Sequence, residues 1–427
     1  MTFPDGFLWG VSTSAFQIEG AVAEGGRGQS VWDTFTATPG KIHEGQTADV
    51  ACDHYHRFHE DIALMSELGV GAHRFSTAWP RIQPTGRGPV NAEGLDFYDR
   101  LVDSLLEAGV APVVTLYHWD TPQPLEDVGG WLNRDIAGRF ADYSTVVAKR
   151  LGDRVKLWIP INEPAMVTLL GYASGRHAPG RTLFHDALPT AHHLNLAHGL
   201  SVQALRAAGA SGIGTANNHS PAWPATDSPE DRAAATAYSA LHNWIYADPQ
   251  LIGRYPDGLA DRLPIADGDL ATIAAPLDFY GVNYYNPTRL RAPSVGSPLE
   301  FDLVEIDEYP KTGSGWPVVP DGLREMLVTL QDRYGDALPP VHITENGCSY
   351  PEEVADAARI SYLDGHIKAV AASGVDVRGY FVWSIIDNFE WDSGYSQRFG
   401  LVHVDHKTQR RTPKDSYHWY KRLIAGE

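Results

Sequence analysis

Two glutamates stand at the ends of apolar, β-rich runs. Asn162-Glu163-Pro164 closes the run at 155–161, and Thr344-Glu345-Asn346-Gly347 closes the run at 341–345. Other strand-end positions add His118-Trp119-Asp120, Asn217-Asn218-His219, Asn283-Tyr284-Tyr285, Trp383-Ser384 and Glu390-Trp391, with Gln17 and Arg74 earlier in the chain. Paired carboxyls can divide one reaction between them. One donates a proton to a leaving oxygen; the other attacks, or activates water at, the carbon being released. Amides and imidazole can hold hydroxyls, and indole faces can stack on the C–H face of a ring. Together these are the groups expected of a glycosidase. Taken singly, Asn-Glu-Pro could be a helix cap and Thr-Glu-Asn-Gly a turn.

The elements that would position these groups alternate. Strands are predicted at 7–11, 72–78, 112–118, 155–161, 212–217, 279–285, 341–345 and 378–383. Between them run segments of helical period. Tyr55, Phe58, Ile62, Met65 and Leu68 precede the second strand, with Gly69 as a C-terminal cap. Leu95, Tyr98, Leu101, Val102, Leu105 and Leu106 precede the third, with Gly109 behind them. Phe140, Tyr143, Val147 and Leu151 precede the fourth. Eight strand–helix units imply a parallel sheet closed into a (β/α)8 TIM barrel, an α/β fold, read as one catalytic domain over residues 1–427. Active sites of such barrels lie at the C-terminal ends of the strands, which is where the two glutamates fall, nearly opposite each other. Residues 286–320, rich in Pro, Gly and acids, are expected to form one long loop on that face. Neither Gly212-x-Gly214 nor Gly25-Gly26-Arg27-Gly28 completes a nucleotide-binding fingerprint, so both read as turns.

Composition narrows the partners. The 427 residues are 43% hydrophobic and carry a net charge of −19, and the eight lysines are scattered. No basic block suggests nucleic-acid binding, and no apolar run reaches the roughly 20 residues of a membrane span. Cys52 and Cys348 form neither a disulfide framework nor a metal motif. The opening Met1-Thr2-Phe3-Pro4-Asp5-Gly6 lacks a secretion signal, so a cytoplasmic location is expected. Asn218-His219-Ser220 fits a glycosylation sequon only formally. His54, His56 and His59, and His192, His193 and His198, cluster on two predicted helices without a metal-binding spacing, so they read as surface or packing residues. No cofactor and no metal are expected; the partner expected is a small neutral glycoside or oligosaccharide. The oligomeric state stays open.

The chain resembles the β-glycosidases of glycoside hydrolase family 1 from Phe7-Leu8-Trp9-Gly10 to Tyr417-x-x-Tyr420. Matching segments include Gln17-Ile18-Glu19-Gly20, Ser30-Val31-Trp32-Asp33, Arg74-Phe75-Ser76 with Trp79-Pro80-Arg81-Ile82, and Leu116-Tyr117-His118-Trp119-Asp120. Asn162-Glu163-Pro164, Gly281-Val282-Asn283-Tyr284-Tyr285, Thr344-Glu345-Asn346-Gly347 and the run 383–398 follow in order. The resemblance implies a retaining, exo-acting β-glycosidase, with terminal β-glucosyl residues as the first expected substrate and galactosyl or fucosyl residues as further ones. It makes Glu163 the acid/base and Glu345 the nucleophile, with Gln17, His118, Asn162, Glu390 and Trp391 on the glycone. Trp119, Trp383, Phe399 and Trp316 join them as substrate-binding residues, and Arg74, Asn283 and Tyr285 as support.

Physical logic agrees with these assignments. A retaining pair sits roughly 5–5.5 Å apart, so the ionised member raises the pKa of the other. Arg74, on the second strand, would keep Glu345 anionic, Tyr285 would donate to the same carboxylate, and Asn162 would bind the 2-hydroxyl. Arg74 as a structural ion-pair residue and Trp383 as a core aromatic remain alternatives. At the level of function, so do a catalytically silent sugar-binding barrel and a metal-dependent hydrolase.

Two local features bear on the substrate. Relatives acting on 6-phosphorylated sugars carry serine where Glu390 stands, with a lysine nearby. A carboxylate at 390, with no lysine between 395 and 399, would repel a phosphate. The family often has an aromatic residue after Asn-Glu-Pro, but this chain has Ala165. That predicts a missing wall beside the leaving group, with Trp316 the remaining aromatic platform.

Overall fold

A computed structural model describes residues 3–427. Its central sheet has eight strands: β1 Leu8–Ser12, β2 Ala72–Ser76, β3 Ala111–Tyr117, β4 Leu157–Ile161, β5 Gly214–Asn218, β6 Phe279–Asn283, β7 Val341–Asn346 and β8 Val377–Trp383. They hydrogen-bond in the order β4-β3-β2-β1-β8-β7-β6-β5, every pair parallel. Parallel bridges from Trp158 to Ile213 and from Asn162 to Ala216 join β4 to β5 and close the barrel. Each strand lies within two residues of its predicted bounds.

The helices follow from their apolar faces. In His54–Leu68, Phe58, Ile62, Met65 and Leu68 are buried, and Gly69 ends the helix at φ 82°, a left-handed conformation that suits glycine. Ala92–Glu107 buries Leu95, Tyr98, Leu101, Val102 and Leu105, and Asp135–Leu151 buries Phe140, Tyr143, Val147 and Leu151. Fully burying one such aliphatic or aromatic side chain contributes about 1.5–3 kcal/mol. These faces pack on the outside of the strands in one large cluster. A small inner cluster of Ala72, Val113, Ile159, Ala216, Phe279 and Phe381 fills the barrel itself. Polar side chains at the C-terminal strand ends therefore sit above a solid apolar floor. There β7 and β8 approach closely, since a Cβ on Gly347 would fall 1.8 Å from the Trp383 carbonyl oxygen.

The stretch 286–320 is not one loop. Thr288–Arg291 pairs in parallel with Ala222–Pro224 and antiparallel with Asp302–Val304, making a small sheet beside the barrel mouth. Strands of three or four residues carry too few apolar positions to show a period. Leu290, Phe301 and Ile306 nonetheless are buried and anchor the excursion. No helix among the described residues is long and apolar enough to cross a membrane.

Candidate active site

A cavity of about 410 Å³ opens at the C-terminal ends of the strands, and both Glu163 and Glu345 line it. Each carboxyl has its own set of partners. Glu345, on β7, accepts from Arg74 Nη1 at 2.6 Å through one oxygen and from Tyr285 Oη at 2.7 Å through the other. Arg74 is buried and locked in place, donating also to Thr115 Oγ1 (3.1 Å), the Thr344 carbonyl (3.0 Å) and Asn162 Oδ1 (2.5 Å). A planar guanidinium with all its arms occupied is a rigid counter-charge. Burial pushes the Glu345 carboxyl above its ordinary value, and Arg74 first, then Tyr285, pull it back.

Among the described residues, Glu163 has no cation of its own. Its Oε1 accepts from Asn283 Nδ2 at 2.8 Å and from Asn218 Nδ2 at 3.0 Å. Burial, then the neighbouring Glu345 charge, push it up to about 8. At neutral pH the site therefore holds Glu163 protonated, while Glu345, with the guanidinium at contact, is the carboxyl best able to ionise. Asn283 links the two sides. It accepts from Thr344 Oγ1 at 2.6 Å and donates to Asn162 Oδ1 at 3.0 Å.

The backbone is strained where it aims these groups. Glu163 (φ 44°), Trp119 (φ 76°) and Trp391 (φ 52°) all occupy the left-handed region. Such positions cost about 1–3 kcal/mol each and persist where the surroundings over-determine them. Here they hold a wall of rings: Trp119 and Trp391 meet with centroids 4.5 Å apart, and His118 stacks between Trp391 (5.9 Å) and Trp383 (5.7 Å). Trp383 lines the cavity, so it is more than a core aromatic. A second wall is formed by Tyr285, Trp316 and Phe399, with Trp316 5.4 Å from Tyr285 and 5.9 Å from Phe399.

Not every expected glycone residue stands on the cavity wall. Gln17 is fully buried behind Glu390, its Nε2 donating to Glu390 Oε2 (3.2 Å), the Phe389 carbonyl (2.9 Å) and Asn388 Oδ1 (3.1 Å). Asn162 is also fully buried, with its amide nitrogen 3.0 Å from His118 Nε2. Burial keeps that imidazole well below its usual range and so neutral. A hydroxyl reaching Asn162 has to enter the pair it makes with His118. Glu390 does line the cavity, but burial, then Glu345 and Asp392, push it up to about 8. That direction works against the anion the sequence reading expects at 390. The reason is its desolvation beside a second carboxylate.

The missing wall at Ala165 is also corrected. Ala165 is buried in an apolar cluster with Leu188, Ala191 and Ile245, and Met166, Leu170 and Tyr238 line that side of the cavity instead. Trp316 is therefore not the sole aromatic there. Tyr238 lies in the alanine-rich helix Pro229–Ser239, where no pattern marks it, and its ring stacks on His242 at 5.0 Å. Sequence reasoning also missed His242 and the rim trio of Arg176, His177 and Asp392. In that trio Arg176 Nε donates to Asp392 Oδ2 at 2.7 Å.

The histidine clusters lie apart from the cavity. His54 pairs with Asp61 at 2.7 Å, His192 bridges Tyr255 and Asp269 at 2.9 Å each, and His193 meets the Trp131 carbonyl at 2.8 Å.

A closed parallel barrel whose mouth pairs one shielded acid with one guanidinium-bound carboxylate, between aromatic walls, defines a glycoside-cleaving enzyme in kind. Comparison with known proteins makes this specific. The profile of glycosyl hydrolase family 1 matches residues 1–427, and the chain belongs to that family. It is 43% identical over 445 residues to β-glucosidase A of Acetivibrio thermocellus, covering 100% of this chain and 99% of that one. It is 45% identical over 462 residues to a bifunctional β-D-glucosidase/β-D-fucosidase of Bifidobacterium breve, covering 100% and 98%. Among solved structures, the family 1 β-glucosidase of Thermotoga maritima superposes with a TM-score of 0.95 at 43% identity, covering 99% of this chain and 98% of that one. That enzyme has also been solved with isofagomine lactam, glucoimidazole and deoxynojirimycin.

Proposed function

We propose that this chain, as a single catalytic unit, is a retaining exo-acting β-glucosidase whose substrates are small neutral β-glycosides. The observation that carries the reading is the unequal treatment of the two glutamates: Glu345 is clamped by Arg74 and Tyr285, while Glu163 has only amide partners and is pushed up to about 8. In the first step a Glu345 oxygen bonds to the anomeric carbon as the bond to the leaving oxygen breaks, and the Glu163 proton passes to that oxygen. In the second, Glu163, now a carboxylate, takes a proton from water. The water oxygen bonds to the anomeric carbon and the ester to Glu345 breaks, restoring both groups. Two inversions retain the β configuration.

Proton NMR of nitrophenyl β-glucoside hydrolysis tests this directly. The first anomer released is expected to be β; first release of α-glucose overturns the reading. The glucosidase/fucosidase pairing in the Bifidobacterium breve relative supports activity on β-fucosides here as well.

Preference for unphosphorylated sugars follows from Glu390. A neutral glucoside can place its O4 and O6 hydroxyls against Glu390, which Gln17 holds from behind. A hydrogen bond to such a group contributes about 1.5–3 kcal/mol once it is charged, roughly ten- to a hundredfold in kcat/KM. A 6-phosphate at the same place would meet the Glu345 charge and, with Glu390 neutral or ionised, no lysine among the residues lining the cavity. The expected result is kcat/KM at least about tenfold higher for nitrophenyl β-glucoside than for its 6-phosphate, the gap narrowing in Glu390→Ser. Equal use of both sugars by the parent enzyme would sink the idea.

A further inference from the structure

Asn218 and His242 line the cavity beside Glu163, and the mechanism above leaves their part unstated. Asn218, the last residue of β5, turns its amide nitrogen to Glu163 Oε1 at 3.0 Å and its amide oxygen to His242 Nε2 at 2.8 Å. An amide oxygen only accepts, so Nε2 must carry the imidazole proton. His242 sits in the helical turn Ala240–Trp244, where Tyr238 stacks on its ring with planes 13° apart. Tyr238 is tethered in turn to Thr288 Oγ1 at 3.1 Å. His242 is buried, and burial lowers it to about 4, so across the working range it stays a one-proton donor. Without that donor the Asn218 amide could rotate and set its oxygen, an acceptor, against Glu163.

The consequence falls on the acid's two oxygens. Glu163 Oε1 already receives N–H groups from Asn218 and Asn283. No hydrogen bond from the described residues reaches Oε2. An oxygen accepting two N–H donors is the carbonyl oxygen of a carboxylic acid, which leaves the proton to the other. We propose that His242 and Asn218 form a positioning relay that fixes Oε1 as the accepting oxygen of Glu163 and so presents the proton from Oε2. The relay rests on the reading of Glu163 as the acid. Glu345 from β7, Arg74 from β2, Tyr285 after β6 and Glu390 after β8 also face Glu163; among the described residues none of them bonds to Asn218 or His242, so they stay unchanged when the relay is cut.

The test compares leaving groups. In Asn218→Ala and His242→Leu, kcat/KM for methyl β-glucoside, which needs the proton, should fall about tenfold or more relative to a dinitrophenyl β-glucoside, which does not. Asn218→Ala should also move the basic limb of the pH profile upward, because a donor that favours ionised Glu163 is lost. His242→Gln, which restores an N–H at the same end of the relay, should recover most of the methyl glucoside rate. Should Asn218→Ala not fold, Asn218→Ser reads the same contact. Equal losses on both substrates with the basic limb unmoved, or no rescue by His242→Gln, would overturn the relay. Glu163→Ala separates the relay from the reading beneath it. If that variant loses both substrates equally, Glu163 is not the acid. If it discriminates while the relay variants do not, only the relay fails.

Discussion

Glu345→Gln is expected to abolish turnover of β-glucosides, with a loss on the order of 10⁴-fold or more, while leaving the barrel folded. An amide cannot form the glycosyl ester, and the other two glutamates lining the cavity, Glu163 and Glu390, have no guanidinium at contact among the described residues to keep them ionised. The glutamine can turn its oxygen to Arg74 and its nitrogen toward Tyr285, so the buried cation keeps an acceptor besides the Thr344 carbonyl and Asn162 Oδ1. Glu345→Ala removes that acceptor. Both substitutions take the counter-charge from Arg74, but only the alanine also loses the acceptor, a hydrogen bond to a charged group worth about 1.5–3 kcal/mol, so the alanine variant should melt below the glutamine one. The parent enzyme incubated with a 2-fluoro β-glucoside should gain the mass of one glycosyl group, mapped to the peptide containing Glu345. A label on any other residue removes the nucleophile assignment and the retaining reading with it.

The parts of this site that were legible in sequence are those carried by short-range physics. Six of the eight strands are rich in β-branched or aromatic residues, with a polar residue at or directly after the end, and Gly69 ends its helix at the turn predicted for it. The strand-end rule then puts Glu163, Glu345, His118 and Trp383 at one mouth, where the cavity is. What was hidden depends on packing between distant segments. Gln17 and Asn162 have the residue types of sugar ligands, but their place behind Glu390 and His118 depends on how the loops after β8 and β3 fold over them. Ala165 looked like a gap because the neighbours that bury it, Leu188 and Ile245, come from helices far along the chain. The strands Thr288–Arg291 and Asp302–Val304 owe their pairing to Ala222–Pro224, not to any period of their own. The upward push on the Glu390 carboxyl was hidden too, because desolvation is a property of the folded pocket and not of the motif.

The pH dependence of kcat/KM should be bell-shaped, and its two limbs report which glutamate does what. Activity in the free enzyme requires Glu345 ionised and Glu163 protonated. As pH rises, activity appears when Glu345 loses its proton, which burial delays beyond the ordinary carboxylate range despite Arg74. It is lost again as Glu163 ionises, at about 8. The limbs belong to a coupled set, since Glu390 is also pushed up to about 8, by burial and then by the same Glu345 charge. Glu163→Gln separates the members. On a dinitrophenyl β-glucoside, whose leaving group departs without a proton, the variant should still form the glycosyl–enzyme, and its basic limb should flatten or move. On methyl β-glucoside it should lose roughly 10²- to 10⁴-fold, the range of a missing general acid. In Glu163→Ala, azide can occupy the vacated space and attack the intermediate without base assistance, so azide should speed turnover of the dinitrophenyl substrate and yield a β-glucosyl azide. A basic limb unmoved in Glu163→Gln would transfer the acid role to the other carboxyl held near 8, Glu390. The same titration repeated in Glu390→Gln would then have to lose that limb.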